Sequence, residues 1–227
     1  MPEKYIARKK YALKFDGEND LVDVQHEGEL TLQERVTFSL WWKVEEDTED
    51  FQYAFRGGDD TNDYLLRVRD TYGSYEWVTF INGSLEFMRF GDPIDYEGEW
   101  IHMVVIHDYE EGRRAYINGE LIAEDDVTGE IDEDFDGHFV IGAERLDGTK
   151  STSGNIDDFR IYDEALSELE IQALYKGHEV KDGLVGHWKM NEGSGDTVYD
   201  SSGNENHGTI EGATWVGYPY KYLTKIV

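Results

Sequence analysis

The chain has 227 residues, and its 50 Asp and Glu against 21 Lys and Arg leave a formal net charge of −29. That much negative charge repels phosphate backbones and anionic lipid, so nucleic acid is excluded as a natural partner, and no run of 18 apolar residues is available for membrane insertion. Hydrophobic residues at 39% and aromatics at 14% still supply one sizeable core, which puts the acids on the outside. Such a charge is tolerable with bound divalent cations or in a salt-rich solvent that screens self-repulsion; a halophilic source is the preferred reading. Without cysteine there is no disulfide or thiol chemistry, and the redox compartment stays open.

In chain order, residues 1–10 (MPEKYIARKK) form a basic tail without the apolar stretch of a classical secretory signal. The body is expected over residues 11–216, with a second tail, carrying Lys221 and Lys225, over 217–227. Short strand signals follow at Tyr11 to Phe15 and Leu21 to Gln25. The clearest is Val36 to Val44, where Val36, Phe38, Leu40, Trp42 and Val44 share one face at period two. More follow at Tyr53 to Arg56, Tyr64 to Arg69, Tyr75 to Ile81, Leu85 to Phe90, Trp100 to His107, Arg113 to Ile117, Glu120 to Glu124 and Phe139 to Gly142. Asn118-Gly119 supplies the two positive-φ residues of a type I′ hairpin turn. Ser167 as N-cap, Glu170 three residues on, and Leu166 with Ile171 as a hydrophobic staple predict one helix over about 168–176, closed by Gly177. Many short strands separated by Gly, Asn and Asp predict an all-β antiparallel sandwich with one short helix.

Three segments, taken in order, carry a family resemblance: Ala12-Leu-Lys-Phe-Asp-Gly-Glu-Asn-Asp-Leu-Val-Asp-Val24; Trp100-Ile-His-Met-Val-Val with Ala115-Tyr-Ile-Asn-Gly-Glu-Leu121; and Gly154-Asn-Ile-Asp-Asp-Phe-Arg-Ile-Tyr162 with Ala165-Leu-Ser-Glu-Leu-Glu-Ile171. Over roughly residues 11–176 the chain resembles the laminin-G-like, concanavalin A-like jelly-roll family. A fourth segment, Gly183 to Ile210, is similar to the stretch that usually opens such domains, yet here it comes last. Three explanations stand open: a circular permutation, strands supplied to a neighbouring subunit, or the start of a truncated second repeat.

The resemblance also implies a structural calcium ion, which takes six to eight oxygens from carboxylates and turn carbonyls. Carried over by position, its candidate ligands are Asp16, Asp20, Asp157, Asp158, Asp200, Asn204 and Asn206.

Catalysis is not expected. Retaining glycosidases of this superfold place two carboxylates on one strand in a Glu-Ile-Asp-x-x-Glu pattern; Glu130-Ile131-Asp132 begins it, but Phe135 stands where the second Glu belongs. No histidine pair has metal-site spacing, and no nucleophile elbow or phosphate loop is present. For a ligand, Trp41, Tyr72, Tyr75 and Trp77 are the candidate stacking platforms, and Asn82-Gly-Ser84 is a glycosylation sequon. The first functional expectation is a non-catalytic structural or decorating subunit of an extracellular assembly, a virion of a halophilic host fitting best, with homo-oligomeric partners. The alternative is a lectin-like module for cell-surface glycans; a glycan-active enzyme is the third reading.

Overall fold

A computed structural model describes residues 11–28, 30, 32–45, 51–58, 63–69, 73–132 and 137–217. The two tails beyond residues 11 and 217, and Tyr72, lie outside them. The described strands are β1 (Tyr11–Asp16), β2 (Leu21–Gln25), β3 (Arg35–Val44), β4 (Phe51–Gly58), β5 (Asp63–Arg69), β6 (Ser74–Ile81), β7 (Ser84–Phe90) and β8 (Ile101–Asp108). They continue with β9 (Gly112–Ile117), β10 (Glu120–Asp125), β11 (His138–Ile141), β12 (Ser153–Tyr162), β13 (Leu184–Trp188), β14 (Thr197–Val198), β15 (Gly208–Glu211) and β16 (Thr214–Gly217). Among the described residues one α-helix, α1 (Glu168–Tyr175), falls where the capping box places it, the Glu170 carboxylate accepting the Ser167 N–H at 2.8 Å.

All the described ladders are antiparallel and form two sheets. The first runs β10-β9-β8-β3-β12-β1-β16, with β13 added beside β12; the second runs β14-β15-β2-β11-β4-β5-β6-β7. The expected sandwich is what the chain forms. Apolar alternation explains the layering: Val36, Phe38, Leu40, Trp42 and Val44 all enter the inter-sheet core. At its centre the Phe38 ring lies 4.4 Å from Phe55, 5.1 Å from Tyr64 and 5.6 Å from Trp77. Such aromatic contacts add to the burial of their area. Arg113, buried to 1% exposure, ties the sheets together: its guanidinium reaches Asp125 at 2.6 Å in the first sheet and the Thr79 hydroxyl and Glu86 carbonyl of the second at 3.0 and 2.8 Å.

Asn118 and Gly119 have φ of +53° and +81°, the type I′ pair expected of that hairpin. Asn82 and Gly83 repeat it at +52° and +77° between β6 and β7, so the sequon asparagine is also a turn residue.

Residues 183–216 complete this chain's own sheets. β13 pairs with the second half of β12, β15 with β2 and β16 with β1. Trp188 of β13 is fully buried, stacked 6.3 Å from Phe139 and tilted 5.9 Å from Phe159.

Candidate functional site

In the second sheet, parity decides what each strand offers to solvent. On β6, Tyr75, Trp77 and Ile81 enter the inter-sheet core, so Glu76 and Val78 stand on the opposite face. Leu65 and Val78 meet Tyr53 there in a small cluster of their own. The registers Tyr53↔Arg67, Arg67↔Glu76 and Glu76↔Arg89 line four polar groups straight across β4, β5, β6 and β7.

Direct cross-strand neighbours have Cβ atoms about 5 Å apart, so opposite charges in that row meet. Arg67 Nη2 contacts Glu76 Oε2 at 2.8 Å, and Arg89 Nε contacts Oε1 at 2.8 Å. The Glu76 side chain is 1% exposed, with both oxygens spent on arginines, whereas Arg89 is 52% exposed. Arg67 also donates to the Tyr53 hydroxyl at 2.9 Å, which donates to Glu144 at 3.0 Å; Lys150 closes the strip at 3.1 Å from Glu144. Burial pushes the Tyr53 phenol up to about 12, outweighing the pull of Arg67, so it keeps its proton and both hydrogen-bonding roles at ordinary pH.

Aromatic rings frame the strip. The Arg67 guanidinium lies 3.7 Å over the Phe51 ring, and Arg89 is 5.6 Å from the ring of Phe87. Phe87 is 40% exposed and its neighbour on the same face of β7, Leu85, 48%. The surface therefore presents an apolar ring and, beside it, the half-exposed guanidinium of Arg89 held by Glu76. Among the described residues, the strip joins three cations, Arg67, Arg89 and Lys150, to two carboxylates, Glu76 and Glu144.

Trp41, Tyr75 and Trp77, the predicted platforms that fall among the described residues, lie elsewhere. Tyr75 and Trp77 are 1% and 0% exposed and belong to the core; the strand is well chosen, but period two turns these two rings inward. Trp41 does face outward, and α1 covers it, with Tyr175 stacked at 5.9 Å and His102 at 5.3 Å. Sequence reasoning missed Phe87 on β7, Arg67 on β5 and Glu76 on β6, which come together only through the register of three strands.

Nor are the calcium candidates gathered: among the described residues no group of three or more His, Asp or Glu is placed to hold a metal. Asp200 accepts the N–H groups of His187 and Ser202 on Oδ1, and the Ser202 hydroxyl and Asn206 N–H on Oδ2. Asn206 in turn accepts the indole N–H of Trp188 at 2.7 Å, and Asn204 donates to the Val185 carbonyl. That loop clasps a core tryptophan. Asp158 faces Arg160 and His187 at 3.1 and 2.8 Å. Asp157 sits in register with Trp41 on β3. Asp16 and Asp20 brace the turn after β1, Asp20 accepting the Asp16 N–H at 2.8 Å, with burial raising its pKa. In these arrangements the carboxylates of Asp20, Asp158 and Asp200 serve hydrogen bonds and ion pairs within the chain. Asp132, from the incomplete glycosidase pattern, accepts the Gly83 N–H and so steadies the β6–β7 turn; Phe135 lies outside the described residues.

A family model described as the concanavalin A-like lectin/glucanases superfamily matches residues 16–172. The human adhesion G-protein coupled receptor D1 is 30% identical over 146 residues, 63% of this chain and 16% of that protein. A solved structure described as a putative carbohydrate binding protein from Bacteroides ovatus aligns with a TM-score of 0.73 at 19% identity, over 92% of this chain and 60% of the other. The binding domain of botulinum neurotoxin serotype D aligns with a TM-score of 0.60 at 20% identity, over 72% of this chain and 41% of that one. The chain thus spans about a sixth of the curated relative and three fifths of the Bacteroides protein. At these identities the structural likeness concerns the fold.

Proposed function

We propose that this chain, which belongs to the concanavalin A-like lectin/glucanases superfamily, is a non-catalytic recognition module that binds glycans on the outward face of β4 to β7. One observation carries the reading: a buried glutamate, Glu76, locks Arg67 and Arg89 in register beside the exposed ring of Phe87. Ordering those arginines before a ligand arrives lowers the entropy that binding must overcome. Saccharides have apolar faces for a ring and hydroxyls for such donors. Two of its structural neighbours, a putative carbohydrate binding protein and a toxin binding domain, lend the reading support. Glu76 has no oxygen to spare for acid or base work, which favours binding over chemistry.

The assembly-subunit reading draws less support. The strands that it would exchange pair within their own chain, and the tails that it would use lie outside the described residues. In the same proposal, residues 183–216 are the domain's usual opening strands carried at its other end, since they take places beside β1, β2 and β12.

A glycan array tests the function. The full chain is expected to bind a restricted set of saccharides, and Phe87→Ala or Arg89→Ala to abolish that binding with the fold intact. No binding to any saccharide, or binding indifferent to both substitutions, would reject this face.

A further inference from the structure

Residues 126–132 cross one end of the sandwich, from β10 in the first sheet toward β6 in the second. Ile131 is fully buried in the inter-sheet core and bridges to Ile81 of β6. Its N–H donates to the Gln33 carbonyl at 2.9 Å, and the Asp132 N–H donates to the Phe80 carbonyl at 2.7 Å. The Asp132 carboxylate accepts the Gly83 N–H at 2.6 Å, so this strap also braces the β6–β7 turn. Midway along it, the Gly129 N–H donates to the Tyr109 carbonyl at 2.9 Å, and the Gly129 carbonyl lies 2.8 Å from His107 Nε2.

A carbonyl only accepts, so His107 carries its proton on Nε2 and leaves Nδ1 as a lone pair. His107 is 0% exposed, on the same side of β8 as the core residues Met103 and Val105, and its Nδ1 has no partner among the described residues. Charged groups approach it from several elements. Direct register sets Arg113 of β9 beside it, and such partners have Cβ atoms about 5 Å apart. Asp125 of β10 holds that guanidinium at 2.6 Å and offsets part of its charge. Asp108, next on β8, turns to Arg35 of β3 at 2.9 Å. On the strap Asp126 and Glu130 are exposed, and Asp132 is engaged by Gly83. From β3 the partner is Val36, and the second sheet brings the Thr79 hydroxyl and Glu86 carbonyl to Arg113. Burial holds the imidazole below its ordinary value of 6.5; the Gly129 hydrogen bond pulls the other way, and Arg113 adds to the fall.

We propose that His107 makes this strap a latch that acid releases. Neutral, the ring holds Gly129 and keeps this end of the core closed. Protonated, it must bury a second N–H that meets no acceptor, beside a cation, so the strap opens and lets the ring reach water. Opening also withdraws Asp132 from the β6–β7 turn. The sign follows from linkage: the closed state takes up the proton less readily than the open one. The hold is therefore full above pH 6.5 and is lost progressively as pH falls below it. The latch belongs to the fold and stands whatever the face of β4 to β7 binds.

Amide hydrogen exchange of the full chain at about pH 7 and about pH 5, expressed as protection relative to an unstructured chain, tests it. Protection at Gly129, Ile131 and Asp132 is expected to fall about tenfold or more, while the β3–β12 ladder keeps its own. His107→Gln retains a donor for the Gly129 carbonyl and cannot titrate, so its strap should be equally protected at both pH values. His138→Gln, at the imidazole paired with Asp23, should respond as the parent does. The His107 ring resonances of the parent chain supply a measurement that needs no variant, and they are expected to titrate below pH 6.5. Four results would overturn the proposal: unchanged strap protection, a fall shared by the whole β3–β12 ladder, an equal fall in His107→Gln, or titration of His107 at or above pH 6.5.

Discussion

The outward faces of the two sheets solve the same problem by opposite means. The face built from β3, β8, β9 and β12 carries Val104, Ile106, Tyr116 and Tyr162, and α1 covers them with Ile171 and Leu174. Among the described residues, no helix lies over the face of β4 to β7. Its apolar pair, Leu65 and Val78, lies beneath a layer made by the strands' own Arg67, Phe51 and Tyr53. A helix withdraws much of a face from solvent, and here Tyr175 stacks on Trp41 at 5.9 Å. A layer of charged and aromatic side chains hides the same apolar area and still leaves a surface that can be read.

The helix-covered face should break hardest. Ile171→Ala removes a fully buried side chain from that interface and is expected to cost about 2–4 kcal/mol of stability. Urea unfolding should show this as a lower midpoint with an unchanged slope. A loss under about 0.5 kcal/mol would mean that α1 is not the cover of that face.

Next comes Glu76→Gln. Both arginines would lose their shared counter-charge while the neutral amide stays buried, so a loss of about 2 kcal/mol is expected, less than for a fully buried pair because Arg89 is half exposed. The pair Arg67 to Glu76 lies mostly out of solvent, and added salt should change that loss little. A large salt response would show that the row is an open surface network and that the two faces differ less than their geometry implies.

How much of this contrast is legible in the sequence depends on how local its causes are. The helix was readable because its capping box and staple lie within six consecutive residues, Leu166 to Ile171, and the β9–β10 hairpin because Asn118-Gly119 needs only its own backbone. The fold class follows from motif order. The row of Tyr53, Arg67, Glu76 and Arg89 joins four strands whose register no single stretch encodes. On β6 apolar residues occupy both parities, with Tyr75, Trp77 and Ile81 on one side and Val78 on the other. That pattern names a strand, and the side each ring takes is settled by its neighbours. The seven calcium candidates follow from resemblance and residue type, whereas hydrogen bonding gives Asp158 and Asp200 partners within the chain, which residue type alone does not reveal.

A smaller effect sharpens the account of the strip. Tyr53→Phe deletes the hydroxyl between Arg67 and Glu144 and is expected to cost about 1 kcal/mol at pH 7. Its pH dependence has a definite sign. The folded chain holds the phenol proton to about pH 12, above the ordinary value of 10.0. Stability from this group is therefore full below pH 10 and is lost as pH rises toward 12. Unfolding at pH 7 and at about pH 11 should show a shallower alkaline loss in Tyr53→Phe than in the parent chain. Equal slopes would remove Tyr53 from the titrating set and leave other tyrosines to explain any alkaline decline.

The smallest stability effect bears most on function. Phe87 is 40% exposed on an edge strand, so Phe87→Ala is expected to move stability by less than about 0.5 kcal/mol, as at ordinary surface positions. Were the ring only a cover for the arginines, its removal would loosen Arg89, lower stability by more than that, and weaken every saccharide alike. Were it a platform, stability would hold and binding would fall, most for ligands with the flattest apolar faces. The two outcomes separate in one pair of measurements, a melt and a glycan array on the same variant. Ile171→Ala supplies the opposite signature, a large loss of stability with saccharide binding by the remaining folded chain unchanged. Only a molecule whose two outward faces do different work gives both signatures.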